Sequence, residues 1–533
     1  MAQSIQNGGG IVPQERLVFM RKASGLVREL NMTDVIIWSI ASPTASGLLY
    51  YQVANAAAYP GANPILAFLI GGIVIFPLVY TLATMMRIMP RSGGMYVCIS
   101  RLLDPSVAFV TNAIYAISFG MTVGIMTWVG TSTLAACMTL AGQATHTAAL
   151  VSAGEWVEAM TGHIIVAIGI TLLFWWASLV SLKAVKILMR WSFWLALAAT
   201  VVLLIPGVFT SDASAAFNAT WGPGVYEKII EAAKANGWAP APFSWSSTVG
   251  LLLIVFWAYS AFEYMATMAG EVKSPQKSMF GGMIGGFLCT VVLYMIVAYV
   301  VWHPFKLDFI PAYAYLYDNH PEVLGTIVPV TRPSVPFLLG SLLPNPWLAI
   351  AAMILCSLWF YNTALPSLAC GARIVFAMSF DRQLPKIFAT VNKRGVPTWA
   401  SHVMIIIGIL TIFINVYGIT ALICLADVGG YFAFWAFGLS AVMLPYKRPD
   451  IYNLSPVKGT FLGVPTISWL GALTTGIGWF LLAFVFGADA SLPVQIITGV
   501  AVLVCIILYV YALQRNVKED VNIQAIYSEI PPE

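Results

Sequence analysis

The chain has 533 residues, of which 59% are hydrophobic and only 9% are charged, whereas about a quarter of the residues of a soluble domain are charged. This composition excludes an ordinary soluble protein and predicts a polytopic membrane protein. The net charge of +4 is small for a chain of this length and gives no indication of a nucleic-acid partner.

Twelve apolar segments follow a polar N-terminal tail, which is predicted to be a flexible arm as far as Gly25. A helix needs about 20 apolar residues to cross the bilayer core, and the third and eighth segments are long enough to tilt or to extend beyond it. The predicted fold class is therefore an all-α membrane protein with about twelve transmembrane helices. The segments lie near 34–57, 64–89, 105–138, 161–181, 188–210, 247–270, 279–302, 346–379, 399–416, 419–445, 463–487 and 493–514.

The basic residues in the connections predict the orientation of the chain. If the N-terminus is cytoplasmic, all but four of the 26 lysines and arginines fall in or beside cytoplasmic connections, and an excess of basic residues is typical of that side. We therefore expect a multi-pass protein of the cell membrane with both termini in the cytoplasm. The four exceptions are Lys228, Lys234, Lys306 and Arg332.

Two of the predicted outer connections are long. Residues 211–246 contain a helical pattern over Val225–Asn236, and residues 303–345 are rich in proline and aromatic residues. Loops of this length in a compact domain are usually functional or disordered. The two connections are candidates for an outer lid, and a passive surface loop is the alternative.

The sixth segment carries the clearest functional signal. Within Phe256–Pro275, small and polar residues at Ala258–Ala261 are followed by Glu263 at membrane depth. A carboxylate there costs several kcal/mol, about 2.5 to 3.5 on insertion scales, and is by default a functional-site hypothesis. Small residues also weaken a helix locally and free backbone groups for a substrate. The alternative is a packing helix whose small face meets a neighbour.

The first segment is predicted to be interrupted as well, at Ser42–Gly47. Pro43 removes a backbone donor, and the neighbouring serine and threonine hydroxyls offer replacements. The first segment enters from the cytoplasm and the sixth from outside, so the two interruptions occupy matching places in oppositely oriented halves. Such a pair predicts a transport site near the bilayer midplane.

The chemistry of an opened helix suggests the substrate. Free amide groups suit a carboxylate, and free carbonyls suit an ammonium group, so the pair of interruptions fits an α-amino acid. We expect the backbone of both segments to hold the substrate's head groups, while Phe256 and Tyr259 face its side chain. Asp427, in the tenth segment, is a candidate for lining the pathway, and an interfacial or helix-breaking role is the alternative. The predicted substrate-binding residues are Ser42, Thr44, Ala45, Ser46, Gly47, Phe256, Ala258, Tyr259 and Ser260.

Three motifs resemble the amino acid–polyamine–organocation (APC) superfamily. Ala258-Tyr259-x-x-Phe262-Glu263, followed by Glu271-x-Lys273-x-Pro275, is similar to that superfamily's sixth helix and the loop after it. The run Pro90–Tyr96 resembles its loop after the second helix, and Arg373–Pro385 resembles the end of its eighth helix. The three motifs occur in the expected order across most of the chain.

The resemblance implies an inverted five-plus-five (LeuT-like) core with broken first and sixth helices. In the implied division, residues 1–33 and 515–533 are cytoplasmic tails, and helices 11 and 12 occupy residues 446–514. The core spans residues 34–445, with one repeat at about 34–210 and the other at about 247–445. Ala45-Ser46-Gly47 takes the place of a Gly-small-Gly carboxylate loop, and Ala261 stands where the superfamily usually has glycine.

Two sets of residues are candidates for energy coupling. Burial disfavours the charged form of a carboxyl group, so Glu263 can carry a proton. The other candidate is a sodium site made by Asn362 and Thr363 with carbonyls near Ile40 and Ala41, since sodium-coupled relatives use hydroxyl residues in that part of the eighth helix. The alternative is that Asn362 and Thr363 simply bond a neighbouring helix. We favour proton coupling or exchange over sodium.

Charged residues near the cytoplasmic ends of the segments suggest a gate. Arg87, Arg91 and Arg101 flank the second and third segments, while Glu271 and Asp381 follow the sixth and eighth. Opposite charges across an inner vestibule can close it, although surface pairs contribute only about 0–1 kcal/mol. Simple anchoring of basic residues on the cytoplasmic side is the alternative.

The sequence as a whole predicts a secondary active transporter of amino acids or related amines that works by alternating access. No phosphate loop, catalytic triad or metal-ligand spacing occurs, so no enzyme, ATP-driven pump, metal site or cofactor is expected. The expected partners are the substrate, membrane lipid, and H+ or Na+; no oligomeric state is predicted. The alternatives are an amino-acid sensor without net transport and a sodium-coupled symporter.

Overall fold

The computed structural model describes residues 24–531, except residues 307, 454, 456 and 489–491, and describes only the backbone of residues 420, 421, 484, 487, 488 and 524. Most of the predicted N-terminal arm therefore lies outside the described residues. The first half of the described chain is helical apart from its connections. Its helices are α1 (Met32–Leu49), α2 (Pro64–Ile88), α3 (Met95–Leu102), α4 (Pro105–Ala144), α5 (Ala148–Glu158), α6 (Met160–Val180), α7 (Leu182–Phe209), α8 (Ser214–Trp221), α9 (Val225–Ala235) and α10 (Trp245–Ala258).

The second half is also helical, with one antiparallel pair of short strands, β1 (Thr460–Phe461) and β2 (Val464–Pro465), in which Thr460 pairs with Pro465. Short 3₁₀ turns cover Phe262–Thr267, Ala269–Glu271 and Lys386–Ala389. The helices are α11 (Pro275–Trp302), α12 (Phe309–Asn319), α13 (Pro321–Gly325), α14 (Val335–Gly340), α15 (Pro346–Cys356), α16 (Leu358–Phe380), α17 (Thr398–Val416), α18 (Thr420–Ile423), α19 (Leu425–Lys447), α20 (Pro449–Tyr452), α21 (Thr466–Ala488), α22 (Leu492–Lys518) and α23 (Ile523–Ser528).

Eleven helical segments in the described part of the chain are long and apolar enough to cross a membrane. They match the second to twelfth predicted segments, so the all-α membrane fold class is confirmed. The first predicted segment is α1, whose 18 residues include Asp34 and Pro43 and are mostly buried inside the protein. The long eighth segment is divided at Ser357, between α15 and α16.

Local sequence explains where the central helices begin. Asn31 caps α1, because its side chain accepts from the amide of Asp34 at 3.1 Å and the Asp34 carboxylate accepts from the amide of Asn31 at 2.9 Å. This is a reciprocal capping box. Asp104 caps the 40-residue α4 by accepting from the amide of Ser106 at 2.7 Å. Pro105 takes the first helical position, where its missing amide costs nothing.

The centre of the molecule is α1, which packs against α11, α16 and the interrupted sixth segment. Two of the glycines that open α11 allow this close approach. A Cβ atom on Gly282 would lie 2.6 Å from Val35, and one on Gly286 would lie 2.6 Å from Ser39. Small residues let membrane helices approach closely, so these positions fix α11 against the first half of α1.

The sixth segment is interrupted where the sequence predicts it. α10 ends at Ala258, and Ala261 adopts a left-handed conformation with φ of 77° before the first 3₁₀ turn begins. This conformation is unfavourable for a residue with a Cβ atom and common only for glycine. The alanine that replaces the superfamily's usual glycine therefore takes the backbone conformation that glycine favours.

The predicted interruption of the first segment needs a correction. α1 continues as a helix through Ser42–Gly47, with Pro43 inside it, and the helical pattern ends only at Leu49. The proline removes the amide that would bond the carbonyl of Ser39, and the helix continues past it. Hydroxyl groups from neighbouring helices bond the next carbonyls of this turn. Thr363 donates to the carbonyl of Ser42 at 2.6 Å, and Tyr294 donates to that of Pro43 at 2.8 Å. These bonds hold the turn in place without unwinding it.

The two long connections contain more structure than the sequence indicated. The predicted helix at Val225–Asn236 is observed as α9, and α8 precedes it. Residues 303–345 hold α12, α13 and α14. A cluster of stacked aromatic rings joins the two connections: the rings of Tyr226 and Phe309 lie 4.0 Å apart and nearly parallel. The connections thus form one packed layer.

Candidate functional site

A cavity of about 100 Å³ lies beside the interruption of the sixth segment. We call it the central cavity. It is enclosed by α1, the residues between α10 and the first 3₁₀ turn, and parts of α4, α16 and α19. Its lining mixes hydroxyl groups, two carboxylates and aromatic rings. The lining residues are Ser42, Pro43, Ala45, Ser46, Tyr115, Ser118, Phe119, Thr122, Ile125, Met126, Trp257, Ala258, Ser260, Ala261, Glu263, Tyr264, Thr363, Ile423, Ala426, Asp427, Gly430, Tyr431 and Phe434.

The structure brings together on this cavity seven of the residues that the sequence singled out. They come from both predicted interruptions and from both coupling candidates: Ser42, Ala45, Ser46, Ala258, Ser260, Glu263 and Thr363. The remaining five do not line it: Thr44, Gly47, Phe256, Tyr259 and Asn362. The substrate-binding and coupling roles of all of them remain predictions.

The two aromatic residues expected to face the substrate's side chain point elsewhere. The hydroxyl of Tyr259 donates to the carbonyl of Phe68 at 2.8 Å, and its ring packs among Phe68, Phe287 and Tyr294. The ring of Phe256 packs against that of Phe480 at 5.7 Å. Both side chains therefore stabilise contacts between helices, and the rings on the cavity come from other positions.

Thr44 and Gly47 contribute to the structure and packing of α1. The Thr44 hydroxyl donates to the carbonyl of Ile40, one turn earlier in the same helix. A Cβ atom on Gly47 would lie 2.4 Å from the hydroxyl oxygen of Tyr294. That hydroxyl donates to the carbonyls of both Pro43 and Ala258 at 2.8 Å, so Tyr294 ties α1 to the end of α10. No motif in the sequence indicated this tyrosine.

Glu263 is the buried carboxyl group of the site, with only 3% of its surface exposed. Tyr115 donates to Oε1 at 2.9 Å. Oε2 is buried and has no hydrogen-bond partner among the described residues. A buried polar oxygen without a partner is costly, so this oxygen favours a proton or a ligand donor.

A second carboxylate, that of Asp427, lies on the cavity beside α10. The indole nitrogen of Trp257 donates to it at 2.6 Å, and the Trp257 ring packs edge to face against Tyr51 at 5.3 Å. Asp427 thus lines the central cavity, and its place on a transport pathway remains a prediction. Tyr115 and Trp257 were not predicted as site residues. Tyrosine and tryptophan recur throughout membrane helices, and the carboxylates that these two bond, Glu263 and Asp427, lie far away in sequence.

The proposed sodium-site residues both make helix–helix hydrogen bonds. Thr363 donates to the carbonyl of Ser42 at 2.6 Å and so joins α16 to α1. Asn362 accepts from the hydroxyl of Ser192 on α7, while its Nδ2 is buried and has no partner among the described residues. The arrangement agrees with the bonding alternative, and the sodium site remains a prediction.

Two buried ion pairs lie outside the lining of the central cavity, and one of them involves the last residue of the second 3₁₀ turn. Arg373 bonds both oxygens of Glu271, at 2.7 and 2.9 Å. Arg101 likewise bonds both oxygens of Asp381, one of them at 2.8 Å, and all four side chains are at most 2% exposed. Both acids of the predicted gate thus form ion pairs. The partner of Glu271 is Arg373, which was not among the arginines predicted to form the gate.

The other two arginines of the predicted gate make different contacts. Arg87 lies over the ring of Phe280 at 5.4 Å. Arg91 donates to the carbonyl of Pro531 at 2.7 Å, near the end of the described chain. The C-terminal tail also places the ring of Tyr527 5.0 Å from the Arg101 guanidinium. The tail therefore covers the buried ion pair of Arg101.

Comparisons with known proteins identify the family. A family model described as amino acid permease matches residues 30–512. The histidine permease HisP of Lactococcus lactis subsp. cremoris (strain MG1363) is 21% identical over 439 residues, which are 81% of this chain and 82% of that protein. The methylthioribose transporter of Bacillus subtilis (strain 168) is 24% identical over 483 residues, 88% of this chain and 91% of that protein.

A third relative is more similar over a shorter stretch. The vacuolar cationic amino acid transporter 2 of Arabidopsis thaliana is 30% identical over 200 residues, which are 37% of this chain and 28% of that protein. These relatives are transporters and not enzymes, and the family match confirms the resemblance to the APC superfamily. This multi-pass membrane protein therefore belongs to the amino acid permease family.

Proposed function

We propose that the protein carries an amino acid or a related amine across the cell membrane by alternating access, with the central cavity as its substrate site. The main evidence is the position of the cavity, which lies at the interruption of the sixth segment and is also lined by Ser42 and Ser46 of α1. An interrupted helix beside a midplane cavity is typical of secondary transporters. The family match supports the substrate class, and the relatives named above include a histidine permease and a methylthioribose transporter.

The lining chemistry supports a small ligand with both a cationic and an anionic or polar end. Asp427 and Glu263 are acceptors for an ammonium group, and the hydroxyls of Ser42 and Ser46 can donate to a carboxylate. At about 100 Å³, the cavity suits a small substrate, since larger ligands occupy pockets of about 300–1,000 Å³.

Counterflow in proteoliposomes tests this proposal. Vesicles preloaded with one unlabelled amino acid or amine should transiently accumulate the labelled compound if that compound is a substrate. Ser46→Trp, which fills the cavity, should abolish accumulation. Ser246→Trp is the matched control, because Ser246 is exposed at the start of α10 and does not line the cavity. Ligand binding without counterflow for any compound of the panel would instead identify a sensor.

We propose proton coupling or exchange, with Glu263 as the proton carrier. Its unpartnered Oε2 and its place on the cavity support this role, because a carboxyl group with little solvent exposure favours its neutral form. Tyr115 would orient the group through its bond to Oε1. A sodium site is less well supported, because Asn362, its other side-chain candidate, does not line the central cavity and accepts from the hydroxyl of Ser192.

Single-ion gradients distinguish the two mechanisms. Uptake driven by a pH gradient and lost in Glu263→Gln, with exchange retained, would support the proton carrier. Thr363→Ala is the matched control and should keep pH-driven uptake. Uptake driven by a sodium gradient at fixed pH, lost in Thr363→Ala but kept in Glu263→Gln, would overturn the proposal.

We also propose that both termini are cytoplasmic and that residues 34–445 form the inverted-repeat core. The distribution of lysine and arginine supports the orientation. A single cysteine at position 529, introduced into a variant without native cysteines, should react with a membrane-impermeant maleimide only after the cells are permeabilised. Labelling in intact cells would place the C-terminus outside.

A further inference from the structure

A second and larger cavity, of about 560 Å³, lies next to the end of α1. We call it the loop cavity. It lies between the turns that follow α1, the loop that precedes α10, the end of α11 and the start of α12. Its described lining residues are Tyr51, Gln52, Asn55, Ala56, Ala57, Tyr59, Pro60, Gly61, Ala62, Asn63, Pro64, Ile65, Gly237, Trp238, Ala239, Pro240, Ala241, Phe243, Leu251, Trp302, Asp308, Pro311 and Tyr315.

Aromatic rings from four separate stretches of chain surround this cavity. They include Tyr51, Tyr59, Trp238, Trp302 and Tyr315. Two of them are fixed by hydrogen bonds: the indole nitrogen of Trp302 donates to the carbonyl of Gln52 at 2.9 Å, and the hydroxyl of Tyr315 donates to the carbonyl of Asn236 at 2.9 Å. Ring faces attract organic cations, and aromatic cages recognise quaternary ammonium groups.

The polar groups on the loop cavity also favour a cation. Gln52 is 1% exposed, and its Nε2 donates to the carbonyl of Gly47 at 3.2 Å. Its Oε1 is buried and has no hydrogen-bond partner among the described residues. The wall of the cavity therefore contains a hydrogen-bond acceptor that a ligand can use. Asp308 adds a carboxylate, and the described lining contains no lysine or arginine. The lining also holds a buried donor without a partner among the described residues, Nδ2 of Asn55. The preference for a cation therefore depends on the aromatic rings, the Asp308 carboxylate and the lack of basic residues in the described lining.

We propose that the loop cavity binds an organic ammonium ion, with its cationic group among the aromatic rings near Asp308 and Gln52. The site is distinct from the central cavity. Tyr51 lines the loop cavity and Trp257 lines the central one, and their rings pack edge to face at 5.3 Å between them. A ligand in the loop cavity therefore contacts one half of the aromatic pair that separates it from the proposed substrate site.

Choline binding to the purified full chain tests the proposal. The measurement is equilibrium binding by calorimetry in detergent, with 3,3-dimethylbutan-1-ol as the neutral compound of the same shape. We expect choline to bind and the alcohol to bind at least tenfold more weakly, because only choline carries the charge that the rings and the carboxylate attract. Equal binding of the two compounds would show an apolar pocket only and would overturn the proposal.

Variants locate the bound ion. Asp308→Asn and Trp238→Leu should each weaken choline binding by about tenfold, which corresponds to about 1.4 kcal/mol. Asp318→Asn is the matched control, because Asp318 lies near the end of α12, the helix that Asp308 precedes, and does not line the cavity. Unchanged choline affinity in Asp308→Asn and Trp238→Leu, each with a wild-type unfolding temperature, would overturn the assignment.

One further variant separates the two cavities. Ser46→Trp fills the central cavity and should leave choline binding intact. Loss of choline binding in that variant would place the ion in the central cavity and overturn the loop-cavity site. Binding is measured without transport, so failure of the proposed transport function would not by itself affect this result.

Discussion

The two ends of the helical bundle are held closed by different kinds of contact. At one end, which we call the paired end, Arg373 and Glu271 are buried together, as are Arg101 and Asp381. At the other end, the Tyr51–Trp257 aromatic pair separates two cavities. Separating a buried ion pair leaves two charges in the protein interior without partners, which costs several kcal/mol. Separating two aromatic rings loses only the smaller energy of their packing contact. In this conformation the paired end is therefore the harder one to open.

Backbone contacts strengthen the paired end further. The amides of Glu29 and Leu30 both donate to the carbonyl of Glu271, at 3.0 and 3.1 Å, and the amide of Lys273 donates to the carbonyl of Leu30 at 2.7 Å. The segment before α1 is thus bonded to the loop after the sixth segment. The proposed alternating-access cycle would break these bonds together with the ion pairs if it opens this end.

The largest effect is expected from removing one charge at the paired end. Arg373→Met leaves the Glu271 carboxylate buried without its partner, and breaking a buried pair in this way costs about 3–5 kcal/mol. Thermal unfolding in detergent should show a large loss of stability. Adding Glu271→Leu should recover most of it, because the double variant buries no charge.

A more exposed pair is the control for that experiment. Lys186 lies 3.6 Å from Glu29, and both side chains are partly exposed, so Lys186→Met should cost less than about 1 kcal/mol. Equal losses in Lys186→Met and Arg373→Met would contradict the importance of burial at the paired end.

An intermediate effect is expected where α11 packs on α1. Gly286→Ala places a Cβ atom 2.6 Å from the Cβ of Ser39, and overpacking of this kind costs about 1–3 kcal/mol. Gly285 is the matched control because a Cβ atom there has no neighbour within 4 Å. Gly285→Ala should leave the unfolding temperature unchanged or slightly raised, since alanine favours a helix. Similar losses in both variants would show that close packing of α1 is not the cause.

The smallest effect is expected from the C-terminal tail. Tyr527→Ala removes the ring that lies 5.0 Å from the buried Arg101 guanidinium, and a cation–π contact of this kind contributes about 1–2 kcal/mol. Tyr527→Phe keeps the ring and loses only the hydroxyl that bonds Gln383, so it should be less destabilised in the same unfolding measurement. If the two variants unfold alike, the hydroxyl rather than the ring holds the tail.

Sequence alone determined the features that depend on local properties of the chain. Apolar length predicted eleven of the observed spans, and the small residues at Ala258–Ala261 predicted the interruption of the sixth segment. Val225–Asn236 was predicted as a helix and observed as α9 within one residue. Membrane insertion and helix propensity act on consecutive residues, so their signals can be read directly from the chain.

Only the tertiary structure decided which way each side chain of the candidate site faces. Tyr259 and Ser260 are neighbours in sequence, yet Tyr259 bonds Phe68 behind the helix and Ser260 lines the central cavity. α1 passes through Pro43 as a helix, and Tyr294 and Thr363, from two distant helices, bond the carbonyls of Pro43 and Ser42. These contacts join residues far apart in the chain, and their geometry depends on how the helices pack, which no single segment of the sequence specifies.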